Sequence, residues 1–280
     1  MAVESVLEAG TPGAVRTARI AALRPHWPRV SVIVPTLNEA KNLPHVFAEL
    51  PDGLHEVIVV DGRSEDGTAD VARSLRPDVR IVEQTGSGKG DALQAGFEAA
   101  SGDVLVMLDA DGSADPGEIP AFVGALMAGA DFAKGSRFAT SGGSADITGL
   151  RRSGNRVLSG LVNMLFRTGY SDLCYGYNAF WRHCLPAMNV DCPGFEVETL
   201  INIRIARAGL EVWEVPSFER ARIHGESNLR TFRDGSRVLR TIVRERMRPA
   251  PCVAEPLAAE VVAPAEVVAP AEVVAPAEVA

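Results

Sequence analysis

Two aspartates stand two residues apart in Asp109-Ala110-Asp111-Gly112-Ser113, directly after the apolar run Val104 to Leu108. Two carboxylates about 5 Å apart repel by roughly 1 kcal/mol or more at moderate screening. A hard divalent cation removes that cost and takes oxygen ligands readily. The pair therefore suits Mg2+ or Mn2+ bridging the protein to a diphosphate. Two other segments carry carboxylates in similar settings, Pro35-Thr36-Leu37-Asn38-Glu39 and Asp61-Gly62-Arg63-Ser64-Glu65-Asp66-Gly67-Thr68. Asp66 and Thr68 read well as turn and N-cap residues, and Ser64 reads equally as either kind. Gly88-Lys89-Gly90 opens a helical segment, where backbone amides and an ammonium suit an anion.

The elements that must position these residues follow from hydrophobic period. Val30 to Pro35, Glu56 to Asp61, Val79 to Gln84 and Val104 to Asp109 are short runs rich in Val and Ile. They alternate with helical patterns at Glu39 to Leu50, Thr68 to Leu75 and Gly88 to Ala100. That order predicts an α/β fold, a mostly parallel sheet with helices on both faces. In such sheets ligands bind outside the carboxyl ends of the strands, and three predicted strand ends bring their carboxylates there. Further on, the pattern predicts helices over Gly117 to Met127, Leu150 to Phe166, Glu196 to Ala208 and Leu229 to Met247. Strands are expected at Asp131 to Phe138, Gly176 to Trp181 and Leu210 to Pro216, and a mobile loop at Thr140 to Ser144. The division expected is a poorly ordered leader (1–29), a catalytic domain (30–229), an amphipathic basic helix (230–248) and an extended VVAPAE-repeat tail (249–280).

Composition excludes some classes. The chain has 280 residues and a formal net charge of −8. The segment from Pro251 onward contributes five glutamates and no cation, leaving −3 for the rest, so nothing global suggests nucleic-acid binding. Cys174, Cys184, Cys192 and Cys252 lack zinc spacing and read as free thiols. No signal peptide is evident, and central uncharged stretches such as Val157 to Phe166 fall well short of the ~20 residues a bilayer needs. A cytoplasmic protein, at most peripheral at the inner face of the membrane, is expected.

Taken in order, PTLNE, VDGRSEDGT, GKGDALQAG, LDADGSADP and GSRF resemble glycosyltransferase family 2, the inverting GT-A fold. DLCYGYNAF, GFEVETL and EVPSFERARIHGESNL resemble its polyprenyl-phosphate hexosyltransferase branch, to which the dolichyl-phosphate mannosyltransferases belong. The resemblance covers roughly Val30 to Leu229. It implies a nucleotide-sugar site of Pro35, Thr36, Leu37, Glu39, Asp61, Gly62, Ser64, Lys89, Asp109 and Ala110, with Asp61 reading the base. It implies a divalent metal on Asp109 and Asp111, and catalytic roles for Asp111, Arg137, Arg152 (or Arg151), Arg222 and Glu198. Three positions depart from the pattern: Gly62 where many relatives carry Asp, Ser113 where a metal-binding Gln stands, and Asn228 where a Lys is usual.

The activity implied is transfer of a hexose from a nucleoside-diphosphate sugar, of the GDP-mannose or UDP-glucose type, to a polyprenyl phosphate. Such a phosphate is already anionic at neutral pH, with a second pKa of about 6, and attacks without a strong base. The alternative is a soluble hydroxyl acceptor, such as a secondary metabolite or a protein, which requires a base. Glu196 and Glu198 are the candidates, and their spacing turns at most one of them to the site. The final helix interleaves Leu229, Phe232, Val238, Leu239, Ile242, Val243 and Met247 with arginines. It either lies on an anionic membrane, which would bring a lipid acceptor within reach, or packs its apolar side on the domain.

Overall fold

The structure is a computed structural model and describes residues 27–225 and 230–249. Residues 1–26 of the expected leader, 250–280 of the expected tail, Asn228 and Cys252 lie outside the described residues. The first half alternates as its hydrophobic runs predict. Strands β1 (Val30–Thr36), β2 (Glu56–Asp61), β3 (Arg80–Glu83) and β4 (Val104–Met107) are separated by helices α1 (Leu43–Ala48), α2 (Thr68–Leu75) and α3 (Lys89–Ala99). Then come α4 (Ile119–Met127), β5 (Phe132–Ser136), β6 (Gly143–Ser144), α5 (Gly149–Phe166), β7 (Asn178–Trp181) and α6 (Leu185–Met188). The described chain ends with α7 (Val197–Arg207), β8 (Val212–Pro216), β9 (Phe218–Glu219) and α8 (Thr231–Met247).

Seven strands form one sheet in the order β3-β2-β1-β4-β7-β5-β8. All neighbours are parallel except β7, which runs antiparallel to both β4 and β5. Chain order reverses between β1 and β4, and a ligand crevice forms outside strand ends at such a switch point. Asp109 and Asp111 follow β4 there.

Alternate residues feed two cores, as a pleated strand requires. Val30, Val32, Val34, Val104 and Val106 face one way, against α1, α2 and α4. Ile33, Ile58, Leu105, Met107 and Phe180 face the other, against α3, α6 and α7. A third cluster, with Val162, Leu173, Ile203, Val238 and Ile242, joins α5, α7 and α8. Ion pairs reinforce that junction: Arg204 on α7 meets Glu245 on α8 at 2.9 Å and Asp191 at 2.7 Å.

Two local expectations need correction. The stretch Thr140 to Ser144, expected as a mobile loop, ends in β6, which pairs in parallel with β9. Its Ser144 hydroxyl also donates to the Glu219 carboxylate. Neither partner is visible in local composition. The final helix divides its apolar residues: Val238 and Ile242 are buried, while Phe232, Leu239, Val243 and Met247 are exposed, Phe232 at 83% and Met247 at 77%.

Candidate active site

At the end of β1 the chain turns through Asn38 in a left-handed conformation (φ 59°). The loop after β2 stitches this turn down: the Asn38 and Glu39 amides donate to Ser64 Oγ and Thr68 Oγ1 at 2.8 and 2.9 Å. Ser64 thus ties two strand ends together, and its own amide donates to Asp61 Oδ2 at 3.1 Å. Asp61 Oδ1 is buried and has no hydrogen-bond partner among the described residues, so it can take a donor from elsewhere. Leu37, next to Asn38 in the chain, is about half exposed. The side chains of Thr36 and Ala110 turn inward: Thr36 Oγ1 donates to the Val60 carbonyl, and the Ala110 methyl is in the core. Any part these two take in binding falls to their main chain. Gly62 sits in a tight place, where a Cβ would stand 3.1 Å from both Gln84 Oε1 and the Thr36 carbonyl and a side chain would require them to give by a few tenths of an ångström.

The Gly88-Lys89-Gly90 helix start differs from expectation. The Gly90 amide donates to the Pro193 carbonyl at 2.9 Å, so the chain itself takes the group expected to bind an anion. A Cβ on Gly90 would stand 1.9 Å from the Cys192 carbonyl, so this packing requires glycine. What reaches the cleft is the Lys89 side chain. Its Nζ lies 2.6 Å from Asp109 Oδ1 and 2.8 Å from Glu198 Oε1. Burial works to lower the Lys89 pKa, but these two carboxylates hold it raised. Glu198 is itself raised, because burial outweighs the help of Lys89.

Asp111 is held from the other side. Arg222 Nη2 lies 2.6 Å from Asp111 Oδ2, and Arg222 Nη1 lies 3.4 Å from Glu39 Oε1. Burial raises the Glu39 pKa against the Asn42 hydrogen bond and Arg222, and Asp111 and Asp109 add to the rise. Segment 220–223 lies over the aspartate turn: the Arg220 amide donates to the Ser113 carbonyl at 2.7 Å and the Ile223 amide to that of Asp111 at 3.3 Å.

Lys89, Asp109, Asp111, Arg137, Glu198 and Arg222 all line one cleft of about 230 Å³. Arg137 is there with its guanidinium engaged, by Asp172 at 2.7 and 3.0 Å and by Glu219 at 3.0 and 3.1 Å. It also lies over the Tyr175 ring, 4.9 Å from the centroid. Arg151 lines the cleft, whereas Arg152 stacks on the Phe138 ring at 5.6 Å and is not part of the lining. Of the two glutamates, Glu198 reaches the cleft, and Glu196 is buried with its Oε2 against Gly194. Sequence reasoning missed Tyr175, Gly176 and Glu219, which complete the wall, and the buried Asp172 behind it that holds Arg137. Asp172 and Tyr175 lie in the motif DLCYGYNAF, where a polar residue before an apolar strand was the available signal.

Among the described residues no group of three or more His, Cys, Asp or Glu side chains is placed to hold a metal ion. The donor set nevertheless fits magnesium or manganese, which take one or two carboxylates and complete their shell with phosphate oxygens and water. Asp109 and Asp111 face the cleft and already attract a cationic side chain each.

A switch-point crevice with an Asp-x-Asp turn at its centre defines a GT-A-type glycosyltransferase. The chain belongs to glycosyl transferase family 2, whose model matches residues 31–185. It is 32% identical over 218 residues to glycosyltransferase AglJ of Haloferax volcanii, covering 77% of this chain and 71% of that protein. It is 33% identical over 213 residues to the undecaprenyl-phosphate mannosyltransferase of Micrococcus luteus, covering 72% of this chain and 87% of that one. Among solved structures it resembles glucosyl-3-phosphoglycerate synthase from Mycobacterium tuberculosis in complex with Mn2+, UDP and phosphoglyceric acid. There the TM-score is 0.63 and the identity 25%, over 86% of this chain and 84% of that one.

Proposed function

We propose that this glycosyltransferase transfers a hexose from a nucleoside-diphosphate sugar to a polyprenyl phosphate with inversion, at the cytoplasmic face of a membrane. The observation that carries this reading is the continuity of the cleft. From Asp109 and Asp111 it runs to Gly154 and Leu158 on α5 and to Thr231 and Gly235 on α8. The same residues open a second, shallower groove whose walls are Val157, Phe232 and Leu239. An anionic head at the aspartate end and an apolar chain in the groove match that gradient from charged to greasy. Leu150, Val157 and Phe232 are exposed along the cleft and groove, Met247 is exposed at the far end of α8, and Arg233, Arg240 and Arg246 on α8 suit an anionic lipid surface. No described helix is long and apolar enough to cross a membrane.

In this reading Asp61 Oδ1 accepts an N–H of the base, and Lys89 and Arg222 close on the diphosphate. A magnesium or manganese ion on Asp109 and Asp111 supplies neutralisation of the charge that develops on the leaving group. Arg151 at the cleft and Arg222 hold the acceptor phosphate in line, a task suited to guanidinium. Arg137, engaged by Asp172 and Glu219, orients that wall.

A soluble hydroxyl acceptor is the second reading. Glu198 favours it, since its carboxyl lines the cleft and burial raises its pKa against the pull of Lys89. Incubation with UDP- or GDP-hexose, Mn2+ and undecaprenyl phosphate separates the two. The first reading expects a lipid-phosphate hexose from wild type and from Glu198→Gln alike. Sugar transfer only to soluble hydroxyl compounds, abolished by Glu198→Gln, would overturn it.

A further inference from the structure

The centre of the cleft holds two tethered cations, one on each aspartate. Lys89 Nζ is 2.6 Å from Asp109 Oδ1, and Arg222 Nη2 is 2.6 Å from Asp111 Oδ2. Lys89 is the more confined. Its side chain is only 12% exposed, and it is backed at 2.8 Å by Glu198, whose side chain is 5% exposed. A bare glycine makes this arrangement fit. A Cβ on Gly176 would stand 2.6 Å from Lys89 Nζ, 3.1 Å from Glu198 Oε1 and 3.2 Å from Asp109 Oδ2.

We propose that Lys89 is a built-in lock on the metal site, which makes divalent-cation binding and diphosphate binding mutually dependent. The inference rests on the donor half of the reading above and is independent of the acceptor. A lysine ammonium and a divalent cation compete for Asp109 Oδ1 and repel each other across it. A diphosphate gives Lys89 a second anion to hold and so releases Asp109. By linkage, whatever the diphosphate gains from the cation the cation gains from the diphosphate. Either ligand alone meets a site whose charges are already paired. Both together rearrange it, with Glu198 and the bare floor at Gly176 keeping the ammonium within reach of Asp109.

The test is calorimetric titration of Mn2+ into the full chain, alone and in the presence of saturating UDP or, in a second arm, GDP. Wild type should bind Mn2+ at least about tenfold more tightly with the nucleotide it accepts. Lys89→Met should bind Mn2+ alone about tenfold more tightly than wild type, and its coupling factor should fall severalfold below that of wild type, leaving the part that shared diphosphate oxygens supply. Gly176→Ala, which pushes the flexible end of Lys89 away, should shift both quantities the same way by a smaller factor. It decides the matter by itself if Lys89→Met does not fold. Unchanged or weaker binding of Mn2+ alone in these variants, with coupling as in wild type, overturns the lock and leaves the donor site standing. A wild-type chain that binds neither nucleotide with Mn2+ overturns the donor site, and the lock with it.

Discussion

Arg222 reaches back across the cleft to place its guanidinium 2.6 Å from the carboxylate of Asp111, more than a hundred residues earlier in the chain. This contact and the Glu39 contact fasten segment 220–223 over the Asp109–Ser113 turn. Arg222→Ala should lower turnover about 10²–10³-fold, the usual effect of removing one aimed donor from a transition-state charge. Arg222→Lys should recover part of it. Released nucleoside diphosphate is the measurement, and an Ala variant with wild-type turnover would refute the assignment.

The Gly90 helix start should tolerate no side chain. Gly90→Ala must expel the Cys192 carbonyl from its place, and overpacking of this kind costs about 1–3 kcal/mol. Because the same shift moves Lys89, activity should fall further than stability does. Urea unfolding beside a turnover assay reads both quantities.

Asp172 sets a pH dependence. Burial works to raise its pKa, but the Arg137 hydrogen bonds and charge outweigh this and hold it below the usual carboxylate range. The unfolded chain has the ordinary value of about 3.9. Between the two values the unfolded state binds more protons, so stability rises with pH there. The contribution is fully present above the unfolded value and is lost as pH falls through the folded one. Asp172→Asn should therefore lower stability at neutral pH and flatten the acid limb, as followed by urea unfolding from pH 2 to 7.

Glu245 fastens α8 to the domain through Arg204 and Arg207. Its side chain is fully buried and that of Arg204 is 6% exposed. Glu245→Ala should destabilise by about 3–5 kcal/mol, since a buried charge loses its partner. A change under 1 kcal/mol in chemical denaturation would show that Asp191 alone suffices.

Phe232 and Met247 offer a clean surface test. Both are largely exposed, so Phe232→Ser with Met247→Ser should shift stability by no more than about 0.5 kcal/mol per site. Co-sedimentation with vesicles containing anionic lipid should nonetheless drop severalfold. Equal sedimentation of variant and wild type would remove α8 as the membrane contact.

The parallel half of the sheet was legible because its information is local. Val and Ile runs such as Val30 to Val34 specify buried strands, and Asp109 and Asp111 announce themselves by following one. The other features depend on pairings remote in sequence. Nothing near Gly143 and Ser144 tells that Phe218 and Glu219 will lie beside them. The Lys89–Glu198 contact joins two helices by their starts, and no periodicity encodes it. Gly88-Lys89-Gly90 was read for its amides, but the carbonyl that takes one of them lies at Pro193. Glu196 shows the limit of face arguments: the spacing placed one glutamate at the site, and only the packing against Gly194 identifies which one.

The reversed strand β7 has a consequence for how this scaffold changes over time. Because β7 runs against β4 and β5, its leading end meets the cleft, and the preceding turn delivers Cys174, Tyr175 and Gly176 there. The segments after β1, β2 and β4 leave strands that run the other way. A substitution in the 174–176 turn therefore acts on the cleft wall directly, and at Gly176 it acts on Lys89 and Asp109 as well. The two walls of the cleft are thus bound to change together rather than separately.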